Sequence, residues 1–217
     1  MCVTKIRTER LIDLDQRGAP QQKRAREAFE RILAATTDLI DEIGIDRITT
    51  INVAERAGVN VSSLYRYFPN KYALVQYLAR RLGERQNVAV NAYLETVNPE
   101  RPWQEVLDGI VDAMVDVSCK ERGAVPLQRA LLAVPELREE YRRSAEDVGT
   151  NLEKFLQRWG VDLPRDRINL IIMSMGECSA AMLDLAVSKG ASYNRDVVRE
   201  LKRVFRGYLE TYLHTDN

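Results

Sequence analysis

The sequence predicts an all-α protein of about nine helices, and three observations carry that prediction. Apolar residues recur at three- and four-residue steps in segment after segment. Breaker residues punctuate those segments: Pro102, Pro135 and Pro164 stand at helix starts, and Gly44, Gly58, Gly160 and Gly190 at helix ends. No stretch shows the two-residue alternation of a half-buried strand, and no internal repeat is present.

Each element follows from its residues. Residues 1–21 read as a polar, loosely ordered arm that Gly18-Ala19-Pro20 separates from the rest. A helix begins near Gln22 and carries Ala25, Ala28, Phe29, Ile32, Leu33, Ala35, Thr36, Leu39, Ile40 and Ile43 on one side. Gly44 ends it. Thr49-Thr50 is a start signal, because a hydroxyl can accept from a free backbone N–H. The short helix Ile51–Ala57 follows, with Val53, Ala54 and Ala57 as its inner face, and stops at Gly58. Asn60 caps the next helix, and Val59 and Leu64 have the spacing of a hydrophobic staple. That helix ends near Phe68-Pro69. Asn70 caps a long helix from Lys71 past Leu82.

Farther on, Pro102 leads a helix with Trp103, Val106, Leu107, Ile110, Val111, Met114 and Val117 on one side. A shorter helix is predicted over about Pro126–Ala133, and another from Pro135 to Trp159, stopping at Gly160. Pro164 leads Arg165–Val187, which is apolar around most of its circumference. Asn194 caps the last helix, where Val197, Leu201, Val204, Phe205, Tyr208 and Tyr212 form a stripe.

Composition excludes several function classes. The chain has 217 residues, 45% hydrophobic and 29% charged, an ordinary globular balance. No apolar run approaches the roughly 20 residues of a membrane span, and residues 1–22 lack the apolar core of a secretory signal. No membrane partner is expected. Cys2, Cys119 and Cys178 are odd in number and far apart, as in a reduced cytoplasmic protein. The only histidine is His214, so no His-based triad or HExxH zinc site can be built inside the fold. No GxGxxG or Walker pattern occurs, and neither an enzyme nor a cofactor or metal is expected. Net charge is zero, yet residues up to Arg85 carry about +4 and the remainder about −4. A basic head on an acidic body suits a nucleic-acid reader with a separate sensing body.

The informative segment is TTINVAERAGVNVSSLYRYFPNKYAL, residues 49–74. Two short helices meet across Ala57-Gly58-Val59, the grammar of a helix-turn-helix. The outer face of the second helix carries Val61, Ser62 and Ser63. Small side chains let the backbone approach the floor of a major groove, where serine can exchange bonds with base edges and valine can touch a thymine methyl. Tyr65 and Tyr67 flank Arg66, and their hydroxyls have the length to reach phosphate oxygens. Tyr65 and Tyr67 cannot both point inward with Leu64 and Phe68, so at least one is free for another role. Lys71 adds its charge to the positive end of a helix dipole. Thr49, Thr50 and Asn60 stand at helix starts, where phosphate binds the same way. Phosphate contacts set position and base contacts set sequence choice.

This segment resembles the TetR family of transcriptional regulators. The match runs through Thr50, Ala54, Ala57, Gly58, Val59, Leu64, Tyr65, Tyr67, Phe68, Lys71 and Leu74. The sequence departs at Asn60 and Asn70, where serine is usual and asparagine still caps, and at Ser62, Ser63 and Tyr72. The resemblance covers residues 22–85 at the level of motif. It implies a helix-turn-helix domain over 22–70 and a helical ligand-binding and dimerisation domain over 71–217. It implies a homodimer joined by the last two long helices, whose two recognition helices lie about 34–36 Å apart and read a palindromic operator. It also implies a small-molecule effector held among the middle helices, and repression. Candidate pocket residues are Trp103, Leu107, Ile110, Met114, Leu131, Leu152, Phe155, Leu156 and Met173, which suit an apolar or aromatic ligand, with Glu177 either a polar anchor or a dimer residue. A ligand-independent DNA binder is the alternative.

Three further features have ordinary readings. Asp108, Asp112 and Asp116 recur every fourth residue and read as a solvated face rather than a metal site. Cys119 and Cys178 have no neighbouring basic cluster, and Cys178 reads as buried and inert. Arg80, Arg81 and Arg85 read as helix surface.

Overall fold

A computed structural model of the chain describes residues 13–98, 100–135, 137, 152–186 and 193–213. Among these residues there are only helices and their connections, with no strand. In chain order they are α1 (Lys23–Ile43), α2 (Thr50–Ala57), α3 (Val61–Tyr65), α4 (Lys71–Thr96), α5 (Trp103–Lys120), α6 (Ala124–Ala133), α7 (152–158), α8 (Arg165–Ala186) and α9 (Arg195–Leu213). A 3-10 turn, Ile45–Arg47, joins α1 to α2. Most of the helix expected from Pro135 to Trp159, the stop at Gly190, and His214 lie outside the described residues, as does the arm before Asp13.

Two apolar cores organise the molecule. The first unites α1, α2, α3 and the N-terminal half of α4 around Phe29, Ile32, Ile40, Leu64, Phe68 and Leu74. Its centre is aromatic: Phe29 stacks on Phe68 at 5.4 Å and meets the edges of Tyr67 at 5.1 Å and Tyr77 at 5.4 Å. The second core unites α5, α7, α8 and α9 around Val106, Val111, Leu156, Ile171, Leu201 and Leu209.

α6 links them. Ala124, Leu127 and Ala130 pack into the first core, while Val125 belongs to the second. The helix begins two residues before the expected Pro126, which fits comfortably in a first turn that needs no N–H. Ahead of it, the turn at residues 121–123 sits on the head. Glu121 pairs with Arg85, and Arg122 reaches Asp38 at 2.7 Å and Asp41 at 3.9 Å. These pairs are exposed and contribute only about 0.2–1 kcal/mol each. The apolar burial of α6 carries the docking.

The acidic stripe of α5 departs from its expected role as a solvated face. Asp108 takes a two-point bond from Arg206, with Nε at 2.8 Å and Nη2 at 2.6 Å, and Lys202 reaches Asp112 at 2.6 Å. Two of the three acids thus clamp α5 to α9. Among the described residues no cluster suited to a metal ion occurs.

α9 also differs from its expected stripe. Its inner face is Val198, Leu201, Phe205 and Leu209, whereas Val204 is 46% exposed. Apolar residues run along two faces of this helix, and only packing selects the inner one. α8 differs in length of apolar character. At 22 residues it is long and apolar enough to cross a membrane by length and composition. The expectation that no segment reaches that length counted continuous apolar runs, which Ser174, Gly176 and Glu177 interrupt. In the fold α8 packs along α9 and α6, and an ion pair between Asp184 and Arg129 ties it to α6.

Candidate nucleic-acid interface

The corner between α2 and α3 is built by local chemistry. Thr49 caps α2: its hydroxyl accepts from Asn52 N–H at 3.1 Å, and the Asn52 side chain accepts from Thr49 N–H at 2.9 Å. This is a reciprocal capping box with asparagine in the place usually held by glutamate. The signal was present in the sequence as Thr-x-x-Asn. At the other end Gly58 adopts φ 62° and ψ 40°, and Val59 N–H donates to Ala54 O at 3.0 Å. Arg31 of α1 donates to Ala57 O at 3.0 Å, satisfying a terminal carbonyl of α2.

Asn60 then caps α3. Its Oδ1 accepts from Ser62 N–H and from the Ser62 hydroxyl, both at 2.9 Å. The bond directs the Ser62 Oγ–H at Asn60 and leaves its lone pairs free to accept. Ser62 is exposed, and Val61 and Ser63 are half-buried. Val61 packs partly against the head core, so it presents only part of its surface. Leu64 and Phe68, fully buried, orient the helix from beneath.

The two tyrosines have different fates. Tyr65 is 41% exposed, and its hydroxyl lies 2.9 Å from the Thr50 hydroxyl. One of these hydroxyls donates to the other, which leaves one O–H free to donate outward. The pair thus bridges the start of α2 and the end of α3 and offers a donor to a phosphate oxygen between them. Tyr67 is 4% exposed, with its ring edge-on to Phe29. The expectation that Tyr67 reaches out to phosphate gives way to a core role, since ring burial holds the side chain in the aromatic cluster. Arg66 stays exposed, with its guanidinium 5.4 Å from the Tyr67 ring centre.

Lys71 is also more constrained than expected. Its ammonium donates to Ile45 O at 3.1 Å and Asp46 O at 3.3 Å, tying the first turn of α4 to the 3-10 turn. An ammonium has three donors, so one remains for an anion. Arg47, exposed in that turn and absent from the sequence-based candidates, adds a cation beside Thr49. Arg56 is occupied elsewhere. It forms a two-point bond to Glu42 of α1, which holds the Glu42 carboxyl below its usual range.

The pocket candidates scatter. Trp103, Leu107, Phe155 and Leu156 are buried in the second core, with Ile110 and Leu152 packed against it. Leu131 packs against the first core instead. Met173 is half-buried, and Glu177 is exposed, outside any cavity described here. Met114 lines a cavity of about 30 Å³ with Gln86, Val111, Ser118, Gln128, Ser179, Leu183 and Phe205. Its polar members were missed because glutamine and serine on amphipathic helices read as solvent-facing. Gln86 donates to the Ser118 hydroxyl at 2.9 Å, while Gln128 Oε1 is buried with no hydrogen-bond partner. A second cavity of about 50 Å³ lies between α1, α4 and the start of α6.

Comparison with known proteins agrees with this geometry. Residues 32–78 match the family described as bacterial regulatory proteins, tetR family, and residues 102–209 match the tetracyclin repressor-like C-terminal domain. The chain is 43% identical over 78 residues to the class A tetracycline repressor protein from transposon 1721 of Escherichia coli, covering 36% of this chain and 34% of that protein. It therefore spans about a third of that relative's length. A TetR-family transcriptional regulator from Streptomyces coelicolor superposes with a TM-score of 0.65 at 26% identity, covering 85% of this chain and 99% of that one. The multidrug binding protein EbrR, solved in complex with imidazole, shares the fold with a TM-score of 0.59 at 20% identity over 87% of this chain and 95% of its own. Both halves of the chain, the helix-turn-helix and the helical body, thus identify it as a member of the TetR family of DNA-binding transcriptional regulators.

Proposed function

We propose that the chain works in the cytoplasm as a homodimeric repressor that holds a palindromic operator and is released by a small apolar or aromatic effector. The observation that carries the DNA half is the presented turn of α3, with Ser62 exposed, Ser63 half-buried and the Thr50–Tyr65 hydroxyl pair beside it. Ser62, Ser63 and Val61 read base edges. Thr49, Thr50, Asn60, Tyr65, Arg66 and the remaining donor of Lys71 hold phosphates.

Dimerisation is supported by the outer face of α8. Leu170 is 50% and Leu185 is 69% exposed, with Ser174, Glu177 and Ala181 between them on the same face. Val204 and Gly207 are exposed on α9. A second copy related by two-fold symmetry buries these residues in a four-helix contact. The repressor reading is supported by the likeness to the class A tetracycline repressor protein, and effector release by the fold shared with EbrR, a multidrug binding protein.

One observation favours the second reading, a regulator that needs no ligand. The two cavities hold about 50 and 30 Å³, while effector pockets usually measure about 300–1,000 Å³. Set against these two cavities among the described residues, an effector of the usual size would select a more open state, and it shifts the balance only by its difference in affinity for the two states.

Selection of duplexes from a random pool by the full chain tests the proposal. Enrichment of an inverted repeat with half-sites about one helical turn apart is expected. Tyr65→Phe should weaken binding to that duplex by about tenfold, the scale of one hydrogen bond to a charged group. Failure to enrich any sequence would sink the reading. A library of apolar compounds that never weakens duplex binding would leave the ligand-independent regulator in its place.

A further inference from the structure

The outward face of α3 is narrow. A helix turns about 100° per residue, so Ser62 and Arg66 both stand about 160° around the axis from Leu64. Leu64 is fully buried, and Arg66 keeps helical backbone angles, so these two residues point most directly away from the head core. Ser62 is the short one and is exposed. A base contact through so short a side chain needs the α3 backbone close to the groove floor.

A serine hydroxyl is ordinarily ambivalent. It carries one hydrogen and two lone pairs, and it turns to suit its partner. It can therefore bond to donor and acceptor base edges alike. Ser62 has lost that freedom. Its backbone N–H donates to Asn60 Oδ1 at 2.9 Å, which identifies that atom as the amide oxygen. The Ser62 hydroxyl lies 2.9 Å from the same oxygen. An amide oxygen only accepts, so the hydrogen in this bond is the serine's. What Ser62 Oγ offers outward is its lone pairs.

Asn60 is anchored for this role. Its main-chain oxygen accepts from Ser63 N–H at 2.8 Å and from Leu64 N–H at 3.3 Å, so the first turn of α3 holds its backbone as well as its side chain. Asn60 and Ser62 are both departures from the family's usual pattern, so the fixed polarity belongs to this chain rather than to the fold.

Major-groove base edges differ in what they present. Adenine N6 and cytosine N4 carry amino donors, whereas guanine N7 and O6 and thymine O4 are acceptors. An obligate acceptor bonds to an amino group. Against guanine O6 or thymine O4 it sets lone pair against lone pair. We propose that Ser62 reads one adenine or cytosine amino group in each half-site as an obligate acceptor, and that Asn60 is the positioning residue that sets this polarity. The proposal rests on the DNA-binding reading above. To meet guanine or thymine the hydroxyl has to leave Asn60 and give up one hydrogen bond, so the preference is about threefold to tenfold per half-site.

The test starts from the duplex that the full chain enriches and reads affinity by fluorescence anisotropy. Each pair of the half-site is changed in turn, in both half-sites together. Adenine and cytosine are also replaced by purine and pyrimidin-2-one, which lack the amino group. Three proteins are compared: the full chain, Ser62→Ala and Asn60→Gly. Glycine remains an acceptable helix cap but removes the amide that holds the hydroxyl. Each affinity is divided by the same protein's affinity for the enriched duplex, so a general loss of binding cancels. Weakened base pairing in the analogues is common to all three proteins and cancels against Ser62→Ala.

At one pair of the half-site, the full chain should bind about tenfold or more weakly when the amino group is removed or replaced by guanine or thymine in both half-sites. Ser62→Ala should lose that dependence. Asn60→Gly should accept guanine or thymine there with a penalty of at most about threefold. A Ser62-dependent preference for guanine or thymine would overturn the acceptor role. So would base preferences identical in the full chain and Ser62→Ala. Undiminished discrimination by Asn60→Gly would overturn the role of Asn60. If no duplex is enriched at all, the DNA-binding reading fails and takes this proposal with it. An enriched duplex whose preferences ignore Ser62 fails the proposal alone.

Discussion

Gly123→Ala probes the contact between the body and the head. Gly123 has φ 70°, a conformation in which a side chain costs about 1–2 kcal/mol. A Cβ there would also lie 2.8 Å from Thr37 Cγ2 and 3.0 Å from Thr37 O of α1. The methyl is held in place because the Thr37 hydroxyl bonds to Leu33 O at 3.1 Å, and the carbonyl belongs to the helix backbone. Overpacking of this kind adds about 1–3 kcal/mol, for a total of about 2–5 kcal/mol. Gly58 supplies the control. It has φ 62°, but a Cβ there meets nothing within 4 Å, so Gly58→Ala should cost only the backbone strain of about 1–2 kcal/mol. Urea unfolding of both variants, at one fixed protein concentration because the stability of the proposed dimer would depend on it, measures the difference. In a chain of this size each kcal/mol also lowers the melting temperature by about 2–4 °C. Thr37→Ser in the Gly123→Ala background removes the methyl and keeps the hydroxyl, and should recover part of the loss. Equal costs at the two glycines would refute the argument, because the turn would then yield freely and could not transmit strain from α6 to α1.

Four other outcomes are expected. Phe29→Ala should destabilise the head by about 3–5 kcal/mol, since the ring touches three others; denaturant unfolding checks it. Thr49→Ala removes one half of the capping box at α2 and should cost about 1 kcal/mol, read from the urea midpoint. The Glu42 carboxyl titrates below its usual range because Arg56 hydrogen-bonds it. A depressed folded-state pKa stabilises the protein above the ordinary carboxylate range, and that contribution is lost as pH falls through the lowered value. Arg56→Met should move the Glu42 titration, followed by NMR, back up to the ordinary range. Burial pushes the Cys119 thiol up, and Asp116 adds to it, so the folded protein should react with a disulfide reagent at pH 8 more slowly than the urea-unfolded chain.

The sequence by itself determined the all-α class, the helix starts of the head and the location of the helix-turn-helix, although α3 ends at Tyr65 rather than near Phe68. The reason is that these depend on local chemistry: caps at Thr49, Asn60 and Asn70, a glycine at the corner, and apolar spacing in α1. Helices α5, α6, α8 and α9 of the body were legible in the same way. Which face of each helix turns inward was less so. α9 has apolar residues on two faces, and only packing against α5 and α8 chose Val198 and Leu209 over Val204.

Tertiary structure also divided residues that look alike in one dimension. Tyr65 and Tyr67 are two positions apart, but the aromatic cluster around Phe29 takes one ring and leaves the other at the surface. Asp108 and Asp112 became ion-pair partners because α9 lies against α5. Lys71 binds carbonyls from twenty-five and twenty-six residues away. The Asn70 side chain likewise donates to Asp13 O, a backbone oxygen fifty-seven residues earlier in the chain. Helix periodicity carries no information about such long-range partners, so only the folded arrangement could decide them.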